Sequence, residues 1–445
     1  MWKRNRYRPI ASALAAAFLT ADAWTERALV LHGADALGVS SDAHAPWLRR
    51  AAKRALTHFD EPPLTRFRDL VRTIEPVLSE GGAPIRIHRF PIPQLVMGEM
   101  RWPVPSLPTA GDLARWLDLT SSELAWFADA RALERLVNAE EPLRHYRYTW
   151  APKRSGGLRL LEAPKPRTKE IQRKILHGIL DVVPAHPAAH GFVAGRSPLT
   201  HARLHVGAKM VLRIDLADFF LHVTAAHVRA IFASLGYPDE AGWLLTCLTT
   251  NVAPVPRRTL VAEDEPYIDT IRRTEMLART RHLPQGAPTS PTLANLAAFA
   301  LDVRLAAAAS SVDARYSRYA DDLVFSGDDS FARRAEGFAR LVSEIALDEG
   351  FAVNRSKTRF MRRGARQTIT GVVVNERPTI ARCDVERLEA ILFNCVHKGA
   401  ATQNRDGHPD FRAHLRGKIA HVAAIDRSRA ARLEELFAKI AWATS

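Results

Sequence analysis

The tetrapeptide Tyr319-Ala320-Asp321-Asp322 constrains this chain more than any other feature. It sets two adjacent carboxylates between two strand-like runs, Arg315–Ala320 and Leu323–Ser326. Neighbouring carboxylates repel, so keeping both ionised favours a nearby cation. A solvated turn would use the same residues, because aspartate is common in turns, and the pair alone does not separate the two readings.

Two further segments narrow the choice. Lys209–Leu216 reads as an apolar strand interrupted by Arg213, within Arg213-Ile214-Asp215-Leu216-Ala217-Asp218-Phe219-Phe220. A carboxylate buried alone at a strand end is costly. Something cationic should compensate Asp215; a metal ion is one candidate, and an N-cap or turn aspartate is the competing reading. The third segment is Leu283-Pro284-Gln285-Gly286-Ala287-Pro288-Thr289-Ser290-Pro291. Gly286 permits close backbone approach or an unusual φ, and Gln285 carries a donor and an acceptor. Ser290-Pro291 predicts a helix start with serine as N-cap. Such a loop suits contact with a nucleic-acid strand, or else a proline-rich connector.

The rest of the chain frames these segments. Residues 1–140 read as mainly helical, with Trp47–Phe59 and Ala110–Val137 at helical spacing and Pro91-Ile92-Pro93 and Trp102-Pro103-Val104-Pro105 between them. Tyr146–Pro152, the turn Lys153-Arg154-Ser155-Gly156-Gly157 and Leu158–Leu161 read as a β-hairpin. Lys165–Val182 follows as a basic amphipathic helix with Arg173 on its polar side. Helix is expected over Phe331–Glu349, strand over 366–375, and three closing helices over 384–397, 411–425 and 428–443. Strands and helices alternate without the period of a barrel, which favours an α+β core flanked by helical domains.

The formal net charge of +15 favours a polyanionic partner, nucleic acid or an anionic membrane surface. Three scattered cysteines, Cys247, Cys383 and Cys395, make no disulfide framework or zinc site. Met1–Arg8 and the apolar Ile10–Leu19 mimic a signal peptide, but the run is mostly alanine and places Leu14, Phe18 and Leu19 on one face, so a helix of the folded protein is expected. No stretch approaches the ~20 apolar residues of a membrane span. A cytoplasmic protein without a membrane partner is the expectation.

In their order along the chain, the segments at 215, 285 and 321 resemble polymerase motifs A, B and C of reverse transcriptases. More narrowly the chain resembles retron reverse transcriptases, bacterial enzymes that make multicopy single-stranded DNA. His190-Gly191-Phe192 with Gly195-Arg196-Ser197, Asn354-Arg355-Ser356-Lys357-Thr358, and Leu415-Arg416-Gly417-Lys418-Ile419 onward to Trp442 are similar to segments of that family. His201-Ala202-Arg203-Leu204-His205 departs from the family's Asn-Ala-x-x-His at His201, and Arg366-Gln367-Thr368-Ile369-Thr370-Gly371 has Ile369 in place of valine. The resemblance covers about residues 141–445 and leaves residues 1–140 as an extension, like that of the longer myxobacterial-type enzymes.

The resemblance implies a right-hand polymerase: fingers and palm over 141–380, a helical thumb over 381–445, and the helical extension in front. It implies RNA-directed DNA synthesis with Asp215, Asp321 and Asp322 as catalytic carboxylates, holding two Mg2+ ions together with the backbone carbonyl of Leu216. Lys153 and Arg159 are then expected on the triphosphate, Phe220 under the sugar, and Gln285 and Gly286 against the template or nascent pair. Arg173, His201, His205, Lys357, Arg416 and Lys418 are expected on nucleic acid; for His201 and His205 a satisfied polar contact is the alternative, and a zinc pair is disfavoured because Ala202 stands where a zinc motif needs glutamate. The implied partners are a cognate structured RNA serving as template and primer, its DNA product, deoxynucleoside triphosphates and a defence effector protein. Another bacterial reverse transcriptase, of group II intron, diversity-generating or abortive-infection type, an RNA-directed RNA polymerase, and a catalytically silent RNA-binding protein on the same fold are the rival readings.

Overall fold

The computed structural model describes residues 7–39, 46–80, 86–91, 95–136, 143–153, 158–254 and 268–442. Ile92, Pro93, Val137, the turn residues Arg154 to Gly157 and residue 443 of the last expected helix lie outside them. The chain forms two compact units, residues 1–184 with 223–293, and residues 185–222 with 294–445.

In the first unit, helices Arg8–Leu19, Glu26–Leu37, Pro46–His58 and Phe67–Glu80 enclose Leu14, Phe18, Leu29, Leu48, Leu70 and Ile74. The alanine-rich run is a core helix: nine of its twelve residues are buried, and their small side chains let neighbouring helices approach closely. The stretch expected as helical over Ala110–Val137 breaks into Ala110–Trp116, Ser121–Ala128 and a 3-10 turn at Leu133–Leu136. Capping boxes at Thr109/Asp112 and Thr120/Glu123 start the two helices, and left-handed backbone at Asp118 and Asp129 follows them. Strands β1 (Tyr146–Pro152) and β2 (Leu158–Pro164) pair antiparallel with Ala151 opposite Arg159. The helix after β2 runs Pro166–Ile175 and continues as a π turn over Leu176–Leu180.

The second unit carries a four-stranded antiparallel sheet. Its strands are β3 (Met210–Ala217), β4 (Arg315–Tyr319), β5 (Asp322–Gly327) and β6 (Ala352–Arg362), in the order β4-β5-β3-β6. Helices Phe299–Ser310 and Asp329–Asp348 pack on it. Strand β6 was not expected, because its sequence is polar and shows no alternation; as an edge strand it forms by pairing with β3. The expected strand over 366–375 is a tight hairpin of β7 (Thr368–Ile369) and β8 (Val372–Val373), turned by positive φ at Thr370 and Gly371. The closing helices, Arg382–Lys398, Phe411–Ile425 and Arg427–Ala438, share a core of Leu388, Leu392, Leu415, Ile419 and Leu433. The fold is α+β, as expected.

Candidate active site

The β3–β5 register pairs two of the three aspartates and ties the backbone of the third to β3. Asp215 and Asp322 are direct cross-strand partners, and the Leu216 amide donates to the Asp321 carbonyl over 2.8 Å. Directly opposed residues bring their Cβ atoms to about 4.5–5.5 Å. Ala320, at φ +56°, supplies the left-handed step that turns β4 into β5.

Such a cluster needs cations, and among the described residues Arg213 and Lys357 answer Asp322 and Asp215. Asp215 and Asp322 are 7% and 5% exposed. Arg213 Nε donates to Asp322 Oδ1 at 2.7 Å, and Lys357 Nζ lies 3.0 and 3.1 Å from the two Asp215 oxygens. Burial pushes the Asp322 carboxyl up to about 6 against the pull of Arg213, and the charges of Asp321 and Asp215 add to the rise. Burial alone would lower Arg213, but Asp322 beside it outweighs that and raises it above its ordinary value. Lys357 reaches Asp215 through an irregularity in the ladder. Between the pairs Arg213/Arg359 and Asp215/Asn354, the single residue Ile214 of β3 opposes the four residues Arg355 to Thr358 of β6. Bulges of this kind re-aim side chains beside functional sites. Lys357, expected on nucleic acid, lies against Asp215 in this structure.

Asp215 and Asp322 each meet one cationic side chain, and Asp321 adds a third carboxyl group to the turn beside them. Among the described residues no three His, Cys, Asp or Glu side chains are grouped so as to hold a metal ion. The donor chemistry nonetheless fits a hard divalent cation, which takes carboxylate oxygens. The Lys357 side chain is 42% exposed and can swing away from Asp215.

Behind the Ala320–Asp321 turn lies a buried frame. Arg318, fully buried, donates from Nε and one terminal nitrogen to both oxygens of Asp302 at 2.8 and 2.6 Å, and from the other to Asn295 Oδ1 and to the Ala320 carbonyl. Asn295 Nδ2 in turn donates to the Gly191 carbonyl at 2.9 Å. A side chain on Gly191 would place its Cβ 2.5 Å from the Ala320 amide nitrogen, so glycine is required there. Left-handed Asp218 turns β3 into the short helix Phe219–His222, leaving Phe219 in the core and Phe220 half-buried. Sequence reasoning missed Arg318, Asp302 and Asn295; the one signal was an arginine within a strand-like run.

The Gln285–Gly286 loop has its own frame in the first unit. The Glu162 amide donates to the Gln285 carbonyl at 2.9 Å, and a Cβ on Gly286, at φ +132°, would stand 3.0 Å from the Glu162 carbonyl. Glu162 is fully buried; one oxygen meets His282 Nε2 at 2.7 Å, and the other accepts from Asn251 Nδ2 at 2.7 Å. Burial would lower the His282 imidazole, but Glu162 outweighs it and raises it. The Ser290 hydroxyl does not cap its helix as expected; it donates to the Pro284 carbonyl and ties the loop. Lys153 follows the end of β1 and Arg159 is exposed on β2, both at the turn end of the hairpin.

Arg173, Arg416 and Lys418 are exposed, as a nucleic-acid contact requires. His201 and His205 are fully buried, which corrects their expected contact with nucleic acid. His205 instead bridges Ser326 Oγ and Ser317 Oγ, each at 2.7 Å, on neighbouring strands. Burial, with His201 beside it, pushes His205 down to about 3; burial and His190 do the same to His201, with the Ser317 backbone opposing.

The family described as Reverse transcriptase (RNA-dependent DNA polymerase) matches residues 151–388. Retron Mx65 reverse transcriptase of Myxococcus xanthus is 39% identical over 340 residues, covering 75% of this chain and 72% of the relative. Retron Mx162 reverse transcriptase, from the same organism, is 37% identical over 302 residues, covering 65% and 59%. Retron Ec86 reverse transcriptase of Escherichia coli is 29% identical over 286 residues, covering 64% and 77%.

Proposed function

The chain belongs to the reverse transcriptase family, among the retron enzymes, and from that premise we propose that it copies a structured RNA of its own into a branched RNA–DNA molecule. It is an RNA-directed DNA polymerase of retron type. The finer reading adds deoxynucleoside triphosphates as substrates, multicopy single-stranded DNA as product, a 2′-hydroxyl of an internal guanosine as primer, and cytoplasmic work in anti-phage defence beside an effector protein.

The observation that carries the catalytic reading is the direct opposition of Asp215 and Asp322 in the β3–β5 ladder, with Asp321 joined to Leu216 through the backbone. Asp215, Asp321, Asp322 and the Leu216 carbonyl would hold two Mg2+ ions, which would stabilise the entering and leaving oxygens of the phosphoryl transfer. Lys357 answers the charge of Asp215, and Arg213 keeps Asp322 oriented. Lys153 and Arg159 bind the triphosphate, Arg bidentately. Phe220 lies under the sugar and excludes a 2′-hydroxyl, selecting deoxynucleotides. Gln285 and Gly286 contact the template or nascent pair, and Arg173, Arg416 and Lys418 track backbone phosphates, so RNA affinity falls steeply with salt.

Asp321→Asn tests this reading. Synthesis is expected to be abolished while RNA affinity, measured by filter binding, stays unchanged; persisting synthesis overturns the carboxylate assignment. Sequencing the nucleic acid that copurifies with the protein tests the product, which is expected to be an RNA–DNA hybrid with a 2′,5′ junction.

A further inference from the structure

Phe192 holds φ at +61°, a left-handed conformation that a bulky aromatic residue rarely adopts. Strain of this kind persists only where the surroundings enforce it, and it clusters at functional sites. Here the surroundings do enforce it. The His190 amide donates to the Arg318 carbonyl at 2.7 Å, the Gly191 carbonyl accepts from Asn295 at 2.9 Å, and Gly191 lies flat against the Ala320 amide. The segment is thus clamped to the turn that carries Asp321, and the strained residue next to it leaves its ring 48% exposed. Burial of the ring therefore does not account for the strain.

That ring stands against Phe220. The two centroids are 6.2 Å apart at 48°, and Phe219 touches Phe220 from the core at 5.7 Å, itself backed by Phe351 at 5.5 Å. Phe220 is held between one buried ring and one exposed ring. We propose that Phe192 is a positioning residue for sugar selection: it blocks the movement of the Phe220 ring that would make room for a 2′-hydroxyl. This rests on the reading of Phe220 as the sugar-selecting residue. A steric filter discriminates only as well as it resists displacement, and an aromatic pair contributes about 0.5–1.5 kcal/mol beyond its buried area. Removing the ring should therefore lower discrimination by roughly 3- to 10-fold.

The test measures kcat/KM for a deoxynucleotide against its ribonucleotide counterpart in the full chain. Phe220→Ala is expected to collapse the ratio, Phe192→Ala to lower it roughly 3- to 10-fold, and Phe192→Tyr to restore it. Phe192→Gly, which relieves the backbone while deleting the ring, should match Phe192→Ala in ratio yet be the more stable of the two. A collapsed ratio in Phe220→Ala with an unchanged one in Phe192→Ala and Phe192→Gly overturns the brace and leaves the filter standing. An unchanged ratio in Phe220→Ala overturns the reading of Phe220 and the brace with it. A Phe192→Ala effect confined to template affinity also overturns the brace.

Discussion

Asp302 and Asp322 sit in the same unit, each answered by an arginine, yet the two pairs do opposite work. Arg318 and Asp302 are both fully buried, joined by two parallel hydrogen bonds, with Tyr316 Oη and Asn295 completing the set. Arg213 meets Asp322 through one short bond and leaves 38% of its side chain in solvent. Lys357, on Asp215, is 42% exposed. A carboxylate whose partner is sealed in the core cannot exchange it. One whose partner lies at the rim can exchange it for another cation. The fold spends its rigid ion pair behind the turn, on the Ala320 carbonyl, and keeps solvent-reachable partners on Asp215 and Asp322.

The comparison breaks most visibly through Asp302→Asn and Asp322→Asn. Asp302→Asn leaves a buried guanidinium uncompensated, so a loss of about 3–5 kcal/mol in unfolding free energy is expected, together with loss of synthesis. Asp322→Asn removes a carboxylate whose ionised form burial already disfavours, and its arginine is partly solvated. A change within about 1 kcal/mol is expected there, with synthesis still severely reduced. Denaturant titration of both variants decides; equal destabilisation would erase the distinction between frame and rim.

These two pairs also mark what the sequence discloses. Asp215, Asp321 and Asp322 are legible because acidic residues beside strand-like runs demand compensation, and the expectation that something cationic answers Asp215 is met by Lys357. That Lys357 answers it is not legible, since it depends on an irregularity in β6, a strand whose polar sequence gives no strand signal. For His205 the structure meets the alternative of a satisfied polar contact, from serines on β4 and β5 deep in the unit, which no local pattern could select over a contact with nucleic acid. Local pattern reveals elements such as β3 and the closing helices. It does not reveal partners 16 or more residues away, as between Arg318 and Asp302 or Glu162 and His282.

Buried histidines sharpen the contrast between the two units through pH. His282 is raised by Glu162, so its stabilising charge is fully present below the ordinary imidazole value and is lost as pH rises through its folded value. His190, His201 and His205 are lowered, to about 4, about 3 and about 3, chiefly by burial. They impose no penalty above the ordinary value of about 6.5, and destabilise increasingly as pH falls below it, because only the unfolded chain then takes up protons readily. Hydrogen exchange should therefore show residues 185–222 and 294–445 loosening first in acid, and the Glu162–His282 surroundings loosening first in alkali. His282→Gln is expected to flatten the alkaline dependence alone. A common pH profile in both units would remove the distinction.

The smallest effect on stability, and the most direct probe of a replaceable partner, comes from Lys357→Met. The ammonium is partly solvated and its pairing with Asp215 contributes at most about 1 kcal/mol, so the denaturation midpoint should scarcely move. Its consequence for cations should be larger. In the wild-type protein a divalent ion would compete with Lys357 for the Asp215 carboxylate; in the variant that competitor is gone and the cluster carries one more net negative charge. Calorimetric titration with Mg2+ in the absence of nucleic acid should therefore give tighter binding to Lys357→Met than to wild type. Arg213→Met, which removes the partner of Asp322, should do the same to a smaller degree, because Asp322 is the carboxyl that burial pushes up to about 6. Weaker or unchanged Mg2+ affinity in Lys357→Met would mean that the lysine holds Asp215 in place for the ion instead of competing with it, and the rim would then be as fixed as the core.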